Sequence, residues 1–278
     1  MPAPFDPPLD LQAQYDNRAM VPEHPAIIEG WARDAAAFRA GWAEATLDLA
    51  YGPGERERLD LFRPGPGEDW PTALLIHGGY WRALDRRFLS HGARGLLAHG
   101  IAVAVPSYDL CPAVPLARIT DQLRAAAGFL HRRCGRRLLA MGHSAGGHAA
   151  AMLMATDWPA LGLPAGLVPA GLPISGVFEL WPLLGTTIAD GLGLDAASAR
   201  AQSPALLPAP AGGLLHAVVG GAESGEFIRQ TRDFAAHWGG SWESLPGANH
   251  FTVLAPLSDP ASPLVARAAR MAVLPGPG

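Results

Sequence analysis

The segment 138–149 constrains the fold of this chain more than any other part of the sequence. An apolar run, Leu138-Leu-Ala-Met, leads into Gly142-His-Ser144-Ala-Gly146 and then into an alanine-rich stretch. This order predicts a buried strand, a sharp turn with the serine at its apex, and a helix. Glycine is needed at 142 and 146 because a side chain there would collide with neighbouring backbone. The turn therefore exposes the Ser144 hydroxyl above a sheet edge and directs a helix N-terminus at it.

The remainder of the chain alternates between apolar runs and segments with helical spacing. Two short alternating stretches, 47–51 and 58–62, flank a Gly-Pro-Gly sequence and predict an antiparallel hairpin. Further strands are predicted at 72–76, 101–105, 137–141, 171–175, 214–219 and 241–245, and helices at 86–98, 115–133, 145–156, 226–238 and 262–273. Continuously apolar strands should be buried on both faces. The pattern predicts an α/β fold whose mixed, mainly parallel sheet has helices on both faces.

The composition does not change abruptly along the chain, and we expect one domain over residues 1–278. Residues 1–45 are proline-rich and then show helical spacing, which predicts an N-terminal arm followed by a helix. Residues 176–213 are rich in Ala, Pro, Gly and Leu and form too long a segment for a simple connection. We therefore predict a small cap here, over the C-terminal edge of the sheet.

Composition excludes several classes of function. The net charge of −4, without a dense basic cluster, argues against nucleic-acid binding. The chain contains no lysine, so Schiff-base chemistry, pyridoxal phosphate attachment and a phosphate-binding loop lysine are impossible. Its two cysteines, Cys111 and Cys134, suffice for neither a disulfide framework nor a zinc cluster. We expect no metal site.

The first residues and the longest apolar runs predict where the protein resides. The N-terminus lacks a basic segment followed by an apolar one, which argues against a secretory signal. No apolar run reaches the ~20 residues that span a bilayer. We expect a soluble, cytoplasmic protein without a membrane partner.

A serine hydroxyl needs a base, itself oriented by a carboxylate, before it can act as a nucleophile. In folds built around a strand–turn–helix serine, the acid and then the histidine follow in loops after later strands. Of ten histidines, His250 alone lies between the last predicted strand and the C-terminal helix, so it is the predicted base. Glu223, just beyond the strand 214–219, is the preferred acid. Glu226 opens the next helix, where the dipole favours a carboxylate in any case, and Asp190 or Asp195 are further alternatives.

A second glycine-containing segment, 77–81, reads His-Gly-Gly-Tyr-Trp and follows an early predicted strand. Paired glycines allow the N–H groups of Gly78 and Gly79 to face a developing oxyanion without side-chain obstruction. The N–H of Ala145, directly after the serine, would complete the predicted oxyanion hole.

Three histidines lie near these motifs without an evident catalytic role. His77 is interpreted as an orienting residue of its loop, because no further metal ligands occur at workable spacing. His143 and His148 flank the serine turn, where packing or loop anchoring is predicted for both. For His143, contact with the leaving group is the alternative.

Aromatic residues gather near the same loops: Tyr80, Trp81, Tyr108, Phe178, Trp181 and Phe251. Residues that follow catalytic strands line the pocket in this architecture, so a flat apolar or aromatic substrate group is expected. Ordinary core packing is the alternative for each. We assign Tyr80, Trp81, Trp181 and Phe251, together with His143, to the predicted pocket.

Taken together, these motifs resemble the α/β-hydrolase superfamily and, within it, the kynurenine formamidase (arylformamidase)-like serine hydrolases. The resemblance extends from about residue 15 to the C-terminal helix. It is carried by Tyr15-Asp-Asn-Arg18, His24-Pro25, Leu59-Asp-Leu-Phe62, His77-Gly-Gly-Tyr-Trp81, Gly142-His-Ser-Ala-Gly-Gly-His148, Glu223-Ser-Gly-Glu-Phe227 with Arg229-Gln230, and Gly247-Ala-Asn-His-Phe251.

The resemblance implies a triad of Ser144, His250 and Glu223, with Gly78, Gly79 and Ala145 as the oxyanion hole. It implies cofactor-independent hydrolysis of a small molecule, with N-formyl-L-kynurenine as the expected substrate and small aryl or short-acyl esters as the alternative. One departure is Glu223, where formamidases of this kind commonly have aspartate. The group includes dimers, so a homodimer is a candidate assembly. A non-catalytic binding module is the remaining alternative, although such proteins usually lack a triad residue.

Overall fold

The computed structural model of the chain describes residues 10–273. Within this range eight strands form one sheet: β1 (Ala45–Ala50), β2 (Arg58–Phe62), β3 (Thr72–Ile76), β4 (Ala102–Pro106), β5 (Leu138–His143), β6 (Ala170–Ile174), β7 (Leu214–Gly220) and β8 (Ser241–Leu245). Their spatial order is β1-β2-β4-β3-β5-β6-β7-β8. Strand β2 is antiparallel to both of its neighbours, and all the other pairs are parallel. The interpretation of the N-terminus as lacking a secretory signal concerns residues outside the described range.

The α-helices of the described residues are α1 (Leu11–Tyr15), α2 (Asn17–Met20), α3 (His24–Gly41), α4 (Arg94–Ala98), α5 (Leu116–Cys134), α6 (Ala145–Met154), α7 (Ala196–Ala201), α8 (Gly225–His237) and α9 (Pro263–Val273). Together with the sheet they confirm the predicted α/β class. None of the helices between residues 10 and 273 is both long and apolar enough to cross a membrane.

The sheet is buried on both faces, as the apolar strands predicted. Successive side chains of a strand point to opposite faces. Accordingly, Leu74 and Ile76 of β3 belong to one apolar cluster, which includes residues of α5, α6 and α8. Ala73 and Leu75 of the same strand belong to a second cluster, which includes residues of α3, α4 and α9. Helices therefore cover the sheet on both sides.

The predicted helix at 86–98 is wrong as a single element. The structure has two 3₁₀ turns, Arg86–Phe88 and Ser90–Ala93, before the short helix α4. Glycine at 92 and 95 weakens a continuous helix. Gly95 also allows close packing, because a Cβ there would lie only 2.4 Å from the carbonyl oxygen of Leu257.

The segment predicted as a cap folds into short helices between β6 and β7. They are the 3₁₀ turns Trp181–Gly185, Ala189–Gly191 and Pro204–Leu206, together with α7. At its N-terminus α7 has a capping box, in which Asp195 accepts from Ser198 N–H at 2.7 Å. The N-terminal arm lies close to this segment, since Gln12 accepts from the N–H of Thr187 at 2.8 Å.

The parallel strands bring several loops to one edge of the sheet. Residue 76 at the end of β3 pairs with Gly142 of β5, and His143 pairs with Ile174 at the end of β6. Gly220 at the end of β7 pairs with Leu245 at the end of β8. The loops after β3, β5, β6, β7 and β8 therefore meet at the carboxyl edge, where α/β folds bind their ligands.

Candidate active site

Ser144 lies at the apex of the turn between β5 and α6. Its φ of 55° and ψ of −117° are strained for a residue with a side chain. The turn is held by a hydrogen bond from Ser144 N–H to the carbonyl of Ile174, at 2.8 Å. A Cβ on Gly142 would lie 2.2 Å from the carbonyl oxygen of Gly146, and one on Gly146 would lie 2.0 Å from that of Ile76. The steric need for both glycines is thus confirmed.

Glu223 and His250 form a buried pair. His250 Nδ1 donates to Glu223 Oε2 at 2.6 Å, and both side chains are almost fully inaccessible. The other carboxylate oxygen, Oε1, accepts from Gly220 N–H at 2.7 Å and from Ser175 Oγ at 2.5 Å. Three donors therefore hold the Glu223 carboxylate against the imidazole. Because Nδ1 donates to the carboxylate, Nε2 is the ring nitrogen that remains to accept a proton.

The alternative acids lie elsewhere. Glu226 accepts from Tyr15 Oη at 2.8 Å and from Arg229 Nη2 at 2.7 Å, so it ties the N-terminal arm to α8. Asp195 caps α7, and Asp190 is exposed on the segment 176–213. Of these carboxylates, Glu223 is the one that contacts His250.

Ser144 and His250 line the same cavity, which has a volume of about 370 Å³. Among the hydrogen bonds within residues 10–273, none joins the Ser144 hydroxyl directly to His250. Catalytic hydrogen bonds are often long in unliganded proteins and tighten when substrate binds. The structure thus brings the two side chains to one cavity with the imidazole already oriented by Glu223.

The loop after β3 lies against the serine turn. A Cβ on Gly78 would be 2.9 Å from the carbonyl oxygen of His143 and 3.0 Å from Ser144 Cβ. Gly79 has a φ of +104°, and a Cβ there would lie 2.3 Å from the carbonyl oxygen of Ala83. No hydrogen bond of the described chain uses the N–H of Gly78, Gly79 or Ala145. These N–H groups therefore remain unpaired beside the serine, as an oxyanion hole requires.

The predicted pocket residues separate into two groups. Tyr80, His143 and Phe251 line the cavity. Trp81 does not: it is 1% exposed and packs edge-on against His148, with ring centroids 5.0 Å apart. Trp181 does not either, because it opens a 3₁₀ turn on the outer surface and is 57% exposed. These two assignments to the pocket are wrong, since one side chain is in the core and the other faces solvent.

The three histidines near the motifs are buried. His143 Nε2 donates to the carbonyl of His250 at 2.7 Å, and burial, with His250 nearby, lowers its pKa well below the usual value. His77 Nδ1 donates to the carbonyl of Gly78 at 2.8 Å, within the loop after β3. His148 Nε2 donates to the carbonyl of Gln202 at 2.6 Å, which links α6 to the segment 176–213. Burial lowers the pKa of His77 and of His148 to about 4.

We expect the free energy of unfolding to fall as the pH drops from about 6.5, where an unfolded histidine titrates, towards 4. His77 and His148 bind protons in the folded chain only near pH 4, so the unfolded state binds more protons in that window. Each histidine then lowers the free energy of unfolding by up to roughly 3 kcal/mol at the acid end. Urea unfolding followed by circular dichroism between pH 4 and 7 measures the effect.

A histidine variant tests the cause of this pH dependence. His148→Gln keeps an N–H for the carbonyl of Gln202 and should flatten the dependence on pH. The matched control is His237→Gln, at the exposed C-terminal end of α8. An unaltered slope in His148→Gln would contradict the explanation.

Several residues of the site were not assigned from the sequence. Ser175, with a φ of 50°, follows β6 and donates to Glu223. Its position at the end of a buried strand next to β5 is a signal that could have identified it. The N-terminal arm and α3 also contribute to the cavity, through residues such as Asp16 and Trp31. Their part depends on how the arm folds over the sheet, which local sequence does not reveal.

Several known proteins are similar to this chain in sequence or in fold. No family model matches the chain. The kynurenine formamidase of Salmo salar is 29% identical over 233 residues, covering 79% of each chain, and that of Danio rerio is 28% identical over 229 residues, covering 78% of each. A solved structure of a candidate thioesterase from Silicibacter sp. TM1040 is 35% identical, with a TM-score of 0.86, and the match covers 93% of this chain and 98% of that one. The esterase of Pyrobaculum calidifontis, 16% identical with a TM-score of 0.69 over 93% of this chain and 98% of the other, shares the fold.

Proposed function

Because the chain belongs to the kynurenine formamidase-like serine hydrolases of the α/β-hydrolase superfamily, we propose that it cleaves an aryl formamide such as N-formyl-L-kynurenine. The observation that carries this proposal is the His250–Glu223 pair, joined at 2.6 Å, in the same cavity as a serine on a strained turn. Such an arrangement supplies a nucleophile, a base and an orienting acid, which are the three parts that serine hydrolysis needs.

In the first half of the reaction Ser144 Oγ attacks the formyl carbon while His250 Nε2 takes the hydroxyl proton. The tetrahedral intermediate carries its negative charge on the former carbonyl oxygen. Collapse of the intermediate breaks the C–N bond, and His250 returns the proton to the departing arylamine. The product of this half is a formyl ester on Ser144.

In the second half a water molecule gives its proton to His250 and attacks the formyl ester. The intermediate collapses to formate and restores the serine hydroxyl. Glu223 stabilises the imidazolium in both halves and keeps the proton of Nδ1 directed at its carboxylate. The reaction needs no electron transfer and no further co-reactant.

The unpaired N–H groups of Gly78, Gly79 and Ala145 support a role in binding the oxyanion. Each is close to the serine turn, and none is used elsewhere in the described hydrogen bonds. Loss of one such donor typically costs about 3 kcal/mol of transition-state stabilisation. Gly79 has a φ of +104°, a backbone conformation that favours glycine.

The cavity wall supports an aromatic leaving group. Trp31 and Phe251 both line the cavity, with ring centroids 6.0 Å apart, and Trp31 also meets His143 edge-on. Aromatic rings prefer such offset and edge contacts, so a flat aryl amine would pack well against this wall. The names of the relatives in Salmo salar and Danio rerio agree with an aryl formamide.

A second candidate function is hydrolysis of small aryl or short-acyl esters. The observation in its favour is the 35% identity to a candidate thioesterase, since a thioester carries a leaving group that departs more readily than an amine. The same serine, base and oxyanion donors would serve either bond.

The kcat/KM values for a formamide and for an ester distinguish the two candidate functions. For the formamidase we expect kcat/KM on N-formyl-L-kynurenine to exceed kcat/KM on 4-nitrophenyl acetate, because a site specific for the aryl formamide contacts more of that substrate in the transition state. Both substrates are followed by absorbance with the same enzyme preparation. Rapid ester cleavage beside negligible formamide cleavage would reject the formamidase and favour the esterase.

A further inference from the structure

The cavity carries charged side chains that the reaction itself does not use. Asp16 and Arg18 reach it from the N-terminal arm, and Arg82 reaches it from the loop after β3. The whole chain has a net charge of −4, yet two arginines and one aspartate are among the residues that line this cavity. The cavity is therefore more positive than the protein around it, which attracts an anionic group.

These charged groups are not committed to ion pairs within the described chain. Most half-buried arginines of the described chain have a carboxylate partner, as Arg86 has Asp60 and Arg229 has Glu226, whereas Arg18 and Arg82 are exposed at the cavity mouth. Between residues 10 and 273, neither Arg18 nor Arg82 has an acidic side chain within ion-pair distance. Asp16 accepts one backbone hydrogen bond, from Ala19 at 3.0 Å, and has no cationic partner there.

Arg82 is held in place although it is unpaired. Its N–H donates to the carbonyl of Gly79 at 3.0 Å, so its backbone belongs to the same turn as the oxyanion glycines. Its guanidinium lies against the backbone of Gly191, since a Cβ on that glycine would be 2.4 Å from Arg82 Cζ. The side chain thus passes between the loop after β3 and the segment 176–213, at the cavity.

From these observations we propose that Arg82, assisted by Arg18, binds the carboxylate of the substrate, while Asp16 binds its ammonium group. One carboxylate and two guanidinium groups, none of them in an ion pair with another described residue, complement the ammonium and carboxylate groups of an α-amino acid. A planar guanidinium can hold a carboxylate through two parallel hydrogen bonds. This inference rests on the proposed function and deepens it: Arg82, Arg18 and Asp16 are the residues that favour a formamide with an α-amino acid group over one without it.

Paired substrates test the inference. N-formyl-L-kynurenine and 2′-formamidoacetophenone share the aryl formamide and the ketone and differ in the α-amino acid group. The specificity ratio is kcat/KM for N-formyl-L-kynurenine divided by kcat/KM for 2′-formamidoacetophenone. Arg82→Gln should lower this ratio by about tenfold or more, which is the usual scale of a charge-assisted hydrogen bond. Arg18→Gln and Asp16→Asn should lower the ratio by smaller factors. Arg82→Lys, which keeps the charge without the planar fork, should lie between Arg82→Gln and wild type.

The matched control is Arg200→Gln on α7. Arg200 is exposed and does not line the cavity. Its replacement by glutamine removes one positive charge, as Arg82→Gln does. It should keep the wild-type ratio, so that a general electrostatic effect is separated from a contact.

A binding measurement makes the result independent of turnover. The dissociation constants of L-kynurenine and 2′-aminoacetophenone are determined by calorimetry for wild type and Arg82→Gln. A fall of about tenfold in either the substrate ratio or the relative affinity for L-kynurenine supports the inference. The inference is overturned when neither quantity changes in Arg82→Gln. A wild-type enzyme that cleaves neither formamide would reject the proposed function, while the calorimetry would still decide the role of Arg82.

Discussion

Replacing Ser144 with alanine is expected to abolish hydrolysis of formamides and esters while the chain remains folded. Loss of the nucleophile of a serine hydrolase lowers kcat by roughly 10⁴- to 10⁶-fold. The fold should tolerate the change because no described hydrogen bond joins the Ser144 hydroxyl to His250, and because the turn is held by its backbone and its glycines. The φ of 55° disfavours serine and alanine alike, so the backbone strain is not altered.

Turnover, circular dichroism and thermal unfolding of the variant check this expectation. Ser258→Ala, at a half-buried serine outside the cavity, is the matched control and should retain turnover. Turnover near the wild-type level in Ser144→Ala would reject the serine as nucleophile. A globally unfolded variant would contradict the placement of its hydroxyl.

The second large effect is expected at Glu223. Glu223→Gln should lower kcat by about 10³- to 10⁴-fold, because the amide can present an N–H to His250 Nδ1 and favour the wrong tautomer. The carboxylate is buried and accepts hydrogen bonds from Ser175, Gly220 and His250. Solvent therefore does not compensate for the loss of its negative charge beside the imidazolium. Steady-state kinetics on one formamide and one ester measure the loss, which should be similar for both bonds.

Glu226→Gln is the matched comparison, since it removes a carboxylate three residues away. Glu226 contacts Tyr15 and Arg229 and does not contact His250. Its replacement should lower the melting temperature and change kcat by less than about tenfold, the effect of a weakened structural contact. A larger loss of kcat in Glu226→Gln than in Glu223→Gln would show that the acid had been assigned to the wrong residue.

The strands and the serine turn could be predicted because local sequence determines them. Continuous apolar runs mark strands that are covered on both faces, and β3 divides its side chains between the two apolar clusters as expected. Gly142 is required by a backbone contact within the turn itself, with Gly146, whereas Gly146 is required by the backbone of Ile76 in the neighbouring strand β3. The order of Ser144, Glu223 and His250 along the chain follows from parallel strands that end at one edge.

The wall of the cavity could not be predicted in the same way. Trp81 and Trp181 follow strands of the sheet, yet one packs into the core against His148 and the other faces solvent. A run of aromatic residues does not reveal which side of a loop turns inward, because left-handed conformations such as that of Trp81 redirect the side chain. Trp31 joins the cavity from α3, which is distant in sequence, and the Arg82 side chain lies against Gly191 of the segment 176–213. That information is tertiary, and no local pattern carries it.

The cavity joins segments that are far apart along the chain. Tyr15 anchors the arm to α8 through Glu226, and the carbonyl of Tyr15 accepts a hydrogen bond from Tyr80 Oη at 2.7 Å. His250, by contrast, follows the last strand. Residues near 15 and residues near 250 therefore line one cavity, although Ser144 lies midway between them in the sequence. Loss of either segment would remove part of the surroundings of Ser144 without touching the serine turn itself.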